Sequence, residues 1–140
     1  MSSRPFLVDT SVWIFALRKD FVPPIKERIG ELLKDHVVLI NGMTKLEILG
    51  GVKTKKEFER LKTRLDSLYE VAINSMVWQI AYKIAFELRR KGITVPYTDI
   101  LIAACALKSR AVLIHADRHF DLMAPHIRLD VESYVQEAKG

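Results

Sequence analysis

Short apolar runs alternate along the chain with stretches whose apolar residues recur at helical spacing. Phe6-Leu7-Val8 ends at Asp9-Thr10-Ser11, and the apolar run from Val12 to Leu17 continues long enough to require a second element, so strand, turn and helix are predicted. Pro23-Pro24 opens a helix through Asp35 with Ile25, Ile29, Leu32 and Leu33 on one face. Val37 to Ile40 reads as a second buried strand. Asn41-Gly42 is a turn signal, and a helix from Thr44 to Leu49 closes at Gly50-Gly51. Lys53 to Leu65 reads as a charged, exposed helix and Tyr69 to Ile73 as a third strand. A long helix follows from Ser75 to Lys91, stopped by Gly92, with Val77, Ile80, Ala81, Ile84, Ala85 and Leu88 facing inward. Pro96 leads into a helix from Tyr97 to Ser109, Ala111 to Ile114 forms a fourth strand, and Ile127 to Leu129 is a candidate last strand.

Short apolar strands alternating with helices indicate an α/β layer structure around a mainly parallel sheet, because strands buried on both faces read as continuous apolar runs. The 140 residues suit one folding unit, and residues 1–140 are expected to form a single three-layer α/β/α domain. No repeat, linker or low-complexity tract interrupts the pattern.

Composition narrows the class of protein. Hydrophobic residues make up 49% and charged residues 28%, values that exclude a disordered chain. The longest apolar run, Ile100 to Leu107, falls far short of the ~20 residues that span a bilayer, and Met1-Ser2-Ser3-Arg4 leads straight into a strand. Neither a signal peptide nor a membrane helix is expected, which points to the cytoplasm. Cys105, the only cysteine, lies within an apolar run and reads as a packed thiol. Lys and Arg total 22 against 17 Asp and Glu, and the net charge of +5 favours polyanionic partners.

That basic balance gains meaning from where the acids fall. Ligands of open parallel sheets bind at the carboxyl ends of the strands, and Asp9 and Asp117 each stand just beyond such an end. A helix running antiparallel to the strand after it begins at the same edge, which brings Asp99 there, and Glu47 follows by the same logic after the second strand. Several carboxylates within a few ångströms raise one another's pKa unless a cation joins them. An oxygen-only donor set suits Mg²⁺ or Mn²⁺, and no Cys or His cluster stands at zinc spacing.

Each acid also stands where a helix cap is common. Thr44-Lys45-Leu46-Glu47 matches a capping box, and Asp9, Asp99 and Asp117 suit N-caps or first turns. Capping does not require acid at every one of these helix starts, since Ser, Thr or Asn would serve; the joint pattern favours a metal site.

The segments Phe6-Leu7-Val8-Asp9-Thr10-Ser11, Thr44-Lys45-Leu46-Glu47-Ile48, Tyr97-Thr98-Asp99-Ile100-Leu101-Ile102-Ala103-Ala104 and Asp117-Arg118-His119-Phe120 resemble PIN domains, and in particular the toxin nucleases of VapBC toxin-antitoxin pairs. The ordered set of four covers essentially the whole chain, although no one segment is specific alone. The resemblance implies a Mg²⁺- or Mn²⁺-dependent endoribonuclease, the toxin of a type II toxin-antitoxin system. Such an enzyme would hydrolyse RNA phosphodiesters with a metal-activated water and leave 5′-phosphate and 3′-hydroxyl ends. It further implies a cognate antitoxin, a homodimer, and Asp9, Glu47, Asp99 and Asp117 as catalytic and metal-binding residues, with Ser11 as the polar residue beside the first aspartate. The chain departs from the commoner pattern at His115, where Thr or Ser is usual, and at His119, where an acid is often found.

Secondary candidates are Ser11, Arg118 as a phosphate contact, and His119 as a phosphate contact or modulator of a bound water; a surface role without catalysis outweighs the functional one for His119, and arginine in an exposed turn is ordinary. Asp121 reads as a cap or solvated acid, while His36 and His126 carry no argument. Basic residues in 53 to 64 and Arg89-Arg90-Lys91 suit phosphate contacts or solvated helix faces. Trp13, Phe15 and Trp78 suit a core or a subunit interface.

Two rival functions stay open. A non-catalytic RNA- or protein-binding module would keep the fold without cleavage. An aspartate-nucleophile phosphatase is the other, since strand-Asp-Thr begins several phosphoryl-transfer sites. Ser11 counts against it, standing where the similar haloacid-dehalogenase-like phosphatases carry a second aspartate.

Overall fold

The computed structural model describes residues 3–17 and 22–139. Met1 and Ser2, half of the lead-in to the first strand, lie outside the described residues. The elements run β1 (Phe6–Val8), α1 (Thr10–Leu17), α2 (Pro23–Asp35), β2 (Val38–Asn41), α3 (Gly42–Gly50), α4 (Lys55–Asp66), β3 (Tyr69–Val71), α5 (Ser75–Arg90), α6 (Tyr97–Ser109), β4 (Val112–His115), α7 (Arg118–Ile127), β5 (Val131–Ser133) and α8 (Val135–Lys139). The five strands form one sheet in the order β3-β2-β1-β4-β5, with every pairing parallel.

Alternation along the strands builds two cores. Leu7, Leu39 and Leu113 pack on one side of the sheet with the inner faces of α5, α6 and α7, through Val77, Ile84, Leu88, Ile102 and Phe120. Their neighbours Val8, Ile40 and Ile114 pack on the other side with α1 to α4, through Val12, Trp13, Ile25, Leu32, Ile48 and Leu61. Period-two alternation with apolar residues on both faces is what a central strand requires, and it produces the three layers. Helix α6 is the most enclosed, with every residue from Asp99 to Ala106 buried, and its small Ala103, Ala104 and Ala106 let it lie close to the sheet and to α5. Trp13 is buried, whereas Trp78 is exposed on α5.

Cys105 sits in this layer with no exposed surface, and burial pushes its thiol up to about 11. Ellman's reagent is expected to leave it unmodified in native protein and to titrate one thiol after denaturation. Rapid native labelling would show that α6 opens.

Several boundaries differ from those read along the chain. Asn41 ends β2 and caps α3, its side chain accepting the Thr44 N–H at 2.9 Å, so α3 begins at Gly42. Thr44 to Glu47 is therefore no capping box, and Glu47 lies beyond the first turn. Residues Ile127 to Leu129 are not a strand: Ile127 ends α7, Arg128 turns into the left-handed region at φ 56, and the last strand is Val131–Ser133. Among the described residues, no helix is long and apolar enough to cross a membrane.

Candidate metal centre

Strand order reverses direction around β1 and β4, which are hydrogen-bonded neighbours whose onward connections lead to opposite halves of the sheet. The carboxyl ends of such a pair leave a crevice, the usual ligand position in open α/β sheets. Asp9 follows β1 and Asp117 follows β4, so the fold sets these acids on either side of that crevice. The Asp9 N–H continues the ladder to the Ile114 carbonyl at 2.9 Å, which fixes where its side chain emerges.

Asp9 is buried, and Ser11 holds it from both backbone and side chain. Its Oδ2 accepts the Ser11 N–H at 3.0 Å and the Ser11 hydroxyl at 2.6 Å. The same Ser11 oxygen accepts the Ala116 N–H at 2.9 Å, tying the turn after β1 to the turn after β4. Burial raises the Asp9 carboxyl above its ordinary value, against the lowering by Ser11's hydrogen bonds, and Glu47's charge adds to the rise.

Asp117 caps α7 by accepting the His119 N–H on Oδ1 at 2.9 Å. Its own N–H donates to Nδ1 of His115 at 3.2 Å. Because Nδ1 accepts there, the proton of the neutral ring sits on Nε2, which donates to Asp121 Oδ1 at 3.0 Å; Ser133 donates to the other Asp121 oxygen at 2.8 Å. Burial lowers the pKa of His115, in accord with a neutral ring. A chain from β5 through Asp121 and His115 therefore holds the backbone at Asp117. Sequence reading missed this network, since His115 and Asp121 meet across a strand–helix junction that periodicity does not show.

Asp99 lies in the first turn of α6 behind Pro96, and its side chain makes no hydrogen bond among the described residues. Only 9% of the residue is exposed. Burial raises its pKa to about 6, with the charges of Asp117, Asp9 and Glu47 adding to the rise and His119 opposing it. Glu47 is exposed, reaching from α3 to accept the Thr10 hydroxyl at 2.7 Å. Thr10 was not singled out from the sequence; its place beside Asp9 was the available signal.

The tightest group consists of Asp99, Asp117 and His119, each offering one ligand atom within 4.8 Å of the others. Nδ1 of His119 is 2.9 Å from Asp117 Oδ1 and 3.3 Å from Asp99 Oδ2. That nitrogen is shielded from solvent, yet neither contact has hydrogen-bond geometry. Two carboxylates, one buried without a hydrogen bond, and an unpartnered ring nitrogen converging on one point are a donor set suited to a divalent cation. Capping does not compete with this use, because a carboxylate offers about four lone-pair directions and a cap occupies one or two. Arg118 stands exposed at the start of α7.

An all-parallel sheet with acids at its switch point defines a class of α/β domain, and the chain belongs to the PIN domain family, whose profile matches residues 6–124. Within it the chain is similar to Ribonuclease VapC21 of Mycobacterium tuberculosis, 29% identical over 135 residues that cover 94% of each protein. The fold matches that of VapBC2 from Rickettsia felis, solved bound to a DNA fragment from its promoter, with a TM-score of 0.78 and 20% identity over 93% of this chain and 98% of that one. It also matches VapBC-5 from M. tuberculosis, a member of the VapBC family of toxin-antitoxin systems, with a TM-score of 0.63 and 19% identity over 94% of this chain and 98% of that one.

Proposed function

We propose that the chain is a divalent-metal-dependent endoribonuclease, the toxin of a VapBC-type toxin-antitoxin pair, with Asp9, Glu47, Asp99 and Asp117 as its acidic site. The observation that carries this reading is Asp99, a buried acid raised to about 6 by its surroundings, facing Asp117 and coupled to Asp9. A protein gains nothing in stability from that arrangement, whereas a cation relieves it. The similarity to VapC ribonucleases supplies the substrate class. The acid cluster argues against the non-catalytic module, and Ser11 argues against the phosphatase.

When bound here, Mg²⁺ or Mn²⁺ would supply Lewis acidity for activating a water and polarising the scissile phosphate. Asp99 and Asp117, at the starts of α6 and α7, would hold the ion, with Asp9, oriented by Ser11, completing the inner acids. Glu47, anchored by Thr10, closes the rim on the α3 side. The network through His115 and Asp121 holds the backbone N–H of Asp117. Positive charge elsewhere on the surface attracts the RNA backbone without reading its bases, although Arg60 and Lys62 spend part of their charge on Glu57 and Asp66.

Partners follow the same reading. An antitoxin covers the site in the resting complex. A homodimer forms through the exposed aromatic row Trp78, Tyr82 and Phe86, spaced four residues apart on α5, beside exposed Tyr97. Light scattering of the purified chain is expected to give twice the monomer mass; a strictly monomeric mass would remove the dimer.

The reading is tested by incubating antitoxin-free protein with RNA in Mg²⁺ or Mn²⁺ and in EDTA. Discrete products with 5′-phosphate ends, lost in EDTA, are expected. RNA binding indifferent to chelator, with no cleavage, would establish the binding module instead. Ser11→Ala, which removes two hydrogen bonds at Asp9 and Ala116 while leaving every acid in place, is expected to slow single-turnover cleavage about tenfold. An unchanged rate would show that Ser11 does not set Asp9.

A further inference from the structure

The acid site of this chain contains one donor that is not oxygen. His119 follows Asp117 by two residues in the first turn of α7, and its backbone N–H is bound to Asp117 Oδ1, so its ring is carried into the same corner as Asp99 and Asp117. Nδ1 has no solvent contact and no hydrogen bond, while carboxylate oxygens lie 2.9 and 3.3 Å away. Neither contact has hydrogen-bond geometry, and Asp99, Asp117 and His119 each place one ligand atom within 4.8 Å of the others.

We propose that His119 Nδ1 is a direct ligand of the catalytic cation, adding one imidazole to the inner carboxylates and giving the site a preference for Mn²⁺ over Mg²⁺. This rests on the metal-centre reading above and adds the identity of the ion. Imidazole nitrogen suits first-row transition ions, whereas Mg²⁺ holds to oxygen and keeps its waters. An acid at position 119 would leave an all-oxygen site with little basis for discriminating the two. His119 is then a selectivity residue, and an imidazole in place of a carboxylate spares the centre one more negative charge.

The test uses the metals alone on the full, antitoxin-free chain. Mn²⁺ and Mg²⁺ affinities are measured by titration calorimetry for wild type, His119→Asp and His119→Ala, and the Mn²⁺ complexes are examined by pulsed electron paramagnetic resonance for ¹⁴N modulation. The wild type is expected to show imidazole nitrogen coupling. Both variants are expected to lose it, and His119→Asp to bring the Mn²⁺-to-Mg²⁺ affinity ratio down at least about tenfold while still binding Mn²⁺. Absence of ¹⁴N coupling in Mn²⁺-loaded wild type, coupling that survives in both variants, or an unchanged affinity ratio in His119→Asp would overturn the nitrogen ligand and leave an all-oxygen metal centre standing. Failure of wild type to bind either ion would overturn the metal centre itself.

Discussion

In EDTA at pH 7.5, Asp99→Asn is expected to unfold at a higher temperature than wild type, with a gain of about 3 kcal/mol. The buried Asp99 carboxyl has a pKa of about 6 in the folded protein and an ordinary value of 3.8. Between those values the folded chain holds a proton that the unfolded chain has released, so the contribution of Asp99 to stability falls as pH rises through the window. Above about pH 6 the ionised form is present in both states and the folded state carries the full penalty. Asparagine has no charge to desolvate and breaks no hydrogen bond, because the aspartate makes none. The gap is expected to narrow as pH falls toward 4, where Asp99 is neutral in the folded state. Saturating Mn²⁺ reverses the order: an ion at about 1,000 times its Kd stabilises wild type by about 4.1 kcal/mol, and the variant forgoes most of this. Thermal unfolding of both proteins in EDTA and in Mn²⁺ provides the check. A variant less stable than wild type in EDTA at pH 7.5 would make Asp99 a structural residue.

Asp9→Asn is expected to lower the single-turnover rate of RNA cleavage by a factor on the order of 10³, while Asp121→Asn lowers it less than about tenfold. Both residues are aspartates near the crevice, and charge alone does not separate them. Asp9 follows β1 at the switch point with its carboxylate fixed by two hydrogen bonds from Ser11. Asparagine retains that shape but replaces an anionic oxygen with an amide, removing charge from the position proposed to hold the cation. Asp121 faces away, occupied by His115 and Ser133, and asparagine still accepts from His115 through its carbonyl. Quenched time courses with the ion in excess measure both rates. Equal losses in the two variants would mean that general acidity of the region, rather than placement at the switch point, governs cleavage.

Legibility from sequence followed how directly each feature is encoded. The strands β1, β2 and β4 are buried on both faces, so each appears as an uninterrupted apolar run, and the acids that follow β1 and β4 can be placed from the chain alone. Capping was legible in kind but not in position. Asn41 sits inside the β2 run and outcompetes Thr44 as the cap of α3, which frees Glu47 to reach Thr10. Helix α7 was hidden by Pro125, which stands near its C-terminal end, where the missing N–H costs one bond of a turn that is about to close. Ile127 and Leu129 then mimic strand alternation across Arg128, although the left-handed Arg128 lets both pack in the α5–α7 core. Strand β5 carries one aliphatic residue, Val131, and is recruited to the sheet by pairing with β4 rather than by its own pattern. Helix α8 has no fully buried residue and no periodicity to read. His119 looked like a surface residue because nothing in Asp117-Arg118-His119 states that the first turn of α7 carries its ring toward Asp99.

The central claim, that these carboxylates form a metal-dependent centre for RNA cleavage, is tested most directly by treating total host RNA with antitoxin-free wild type and Asp99→Asn, each in Mn²⁺ and in EDTA. Discrete fragments from wild type in Mn²⁺ alone, absent from the other three reactions, are the result expected here. The same fragments from Asp99→Asn, or from wild type in EDTA, would contradict it.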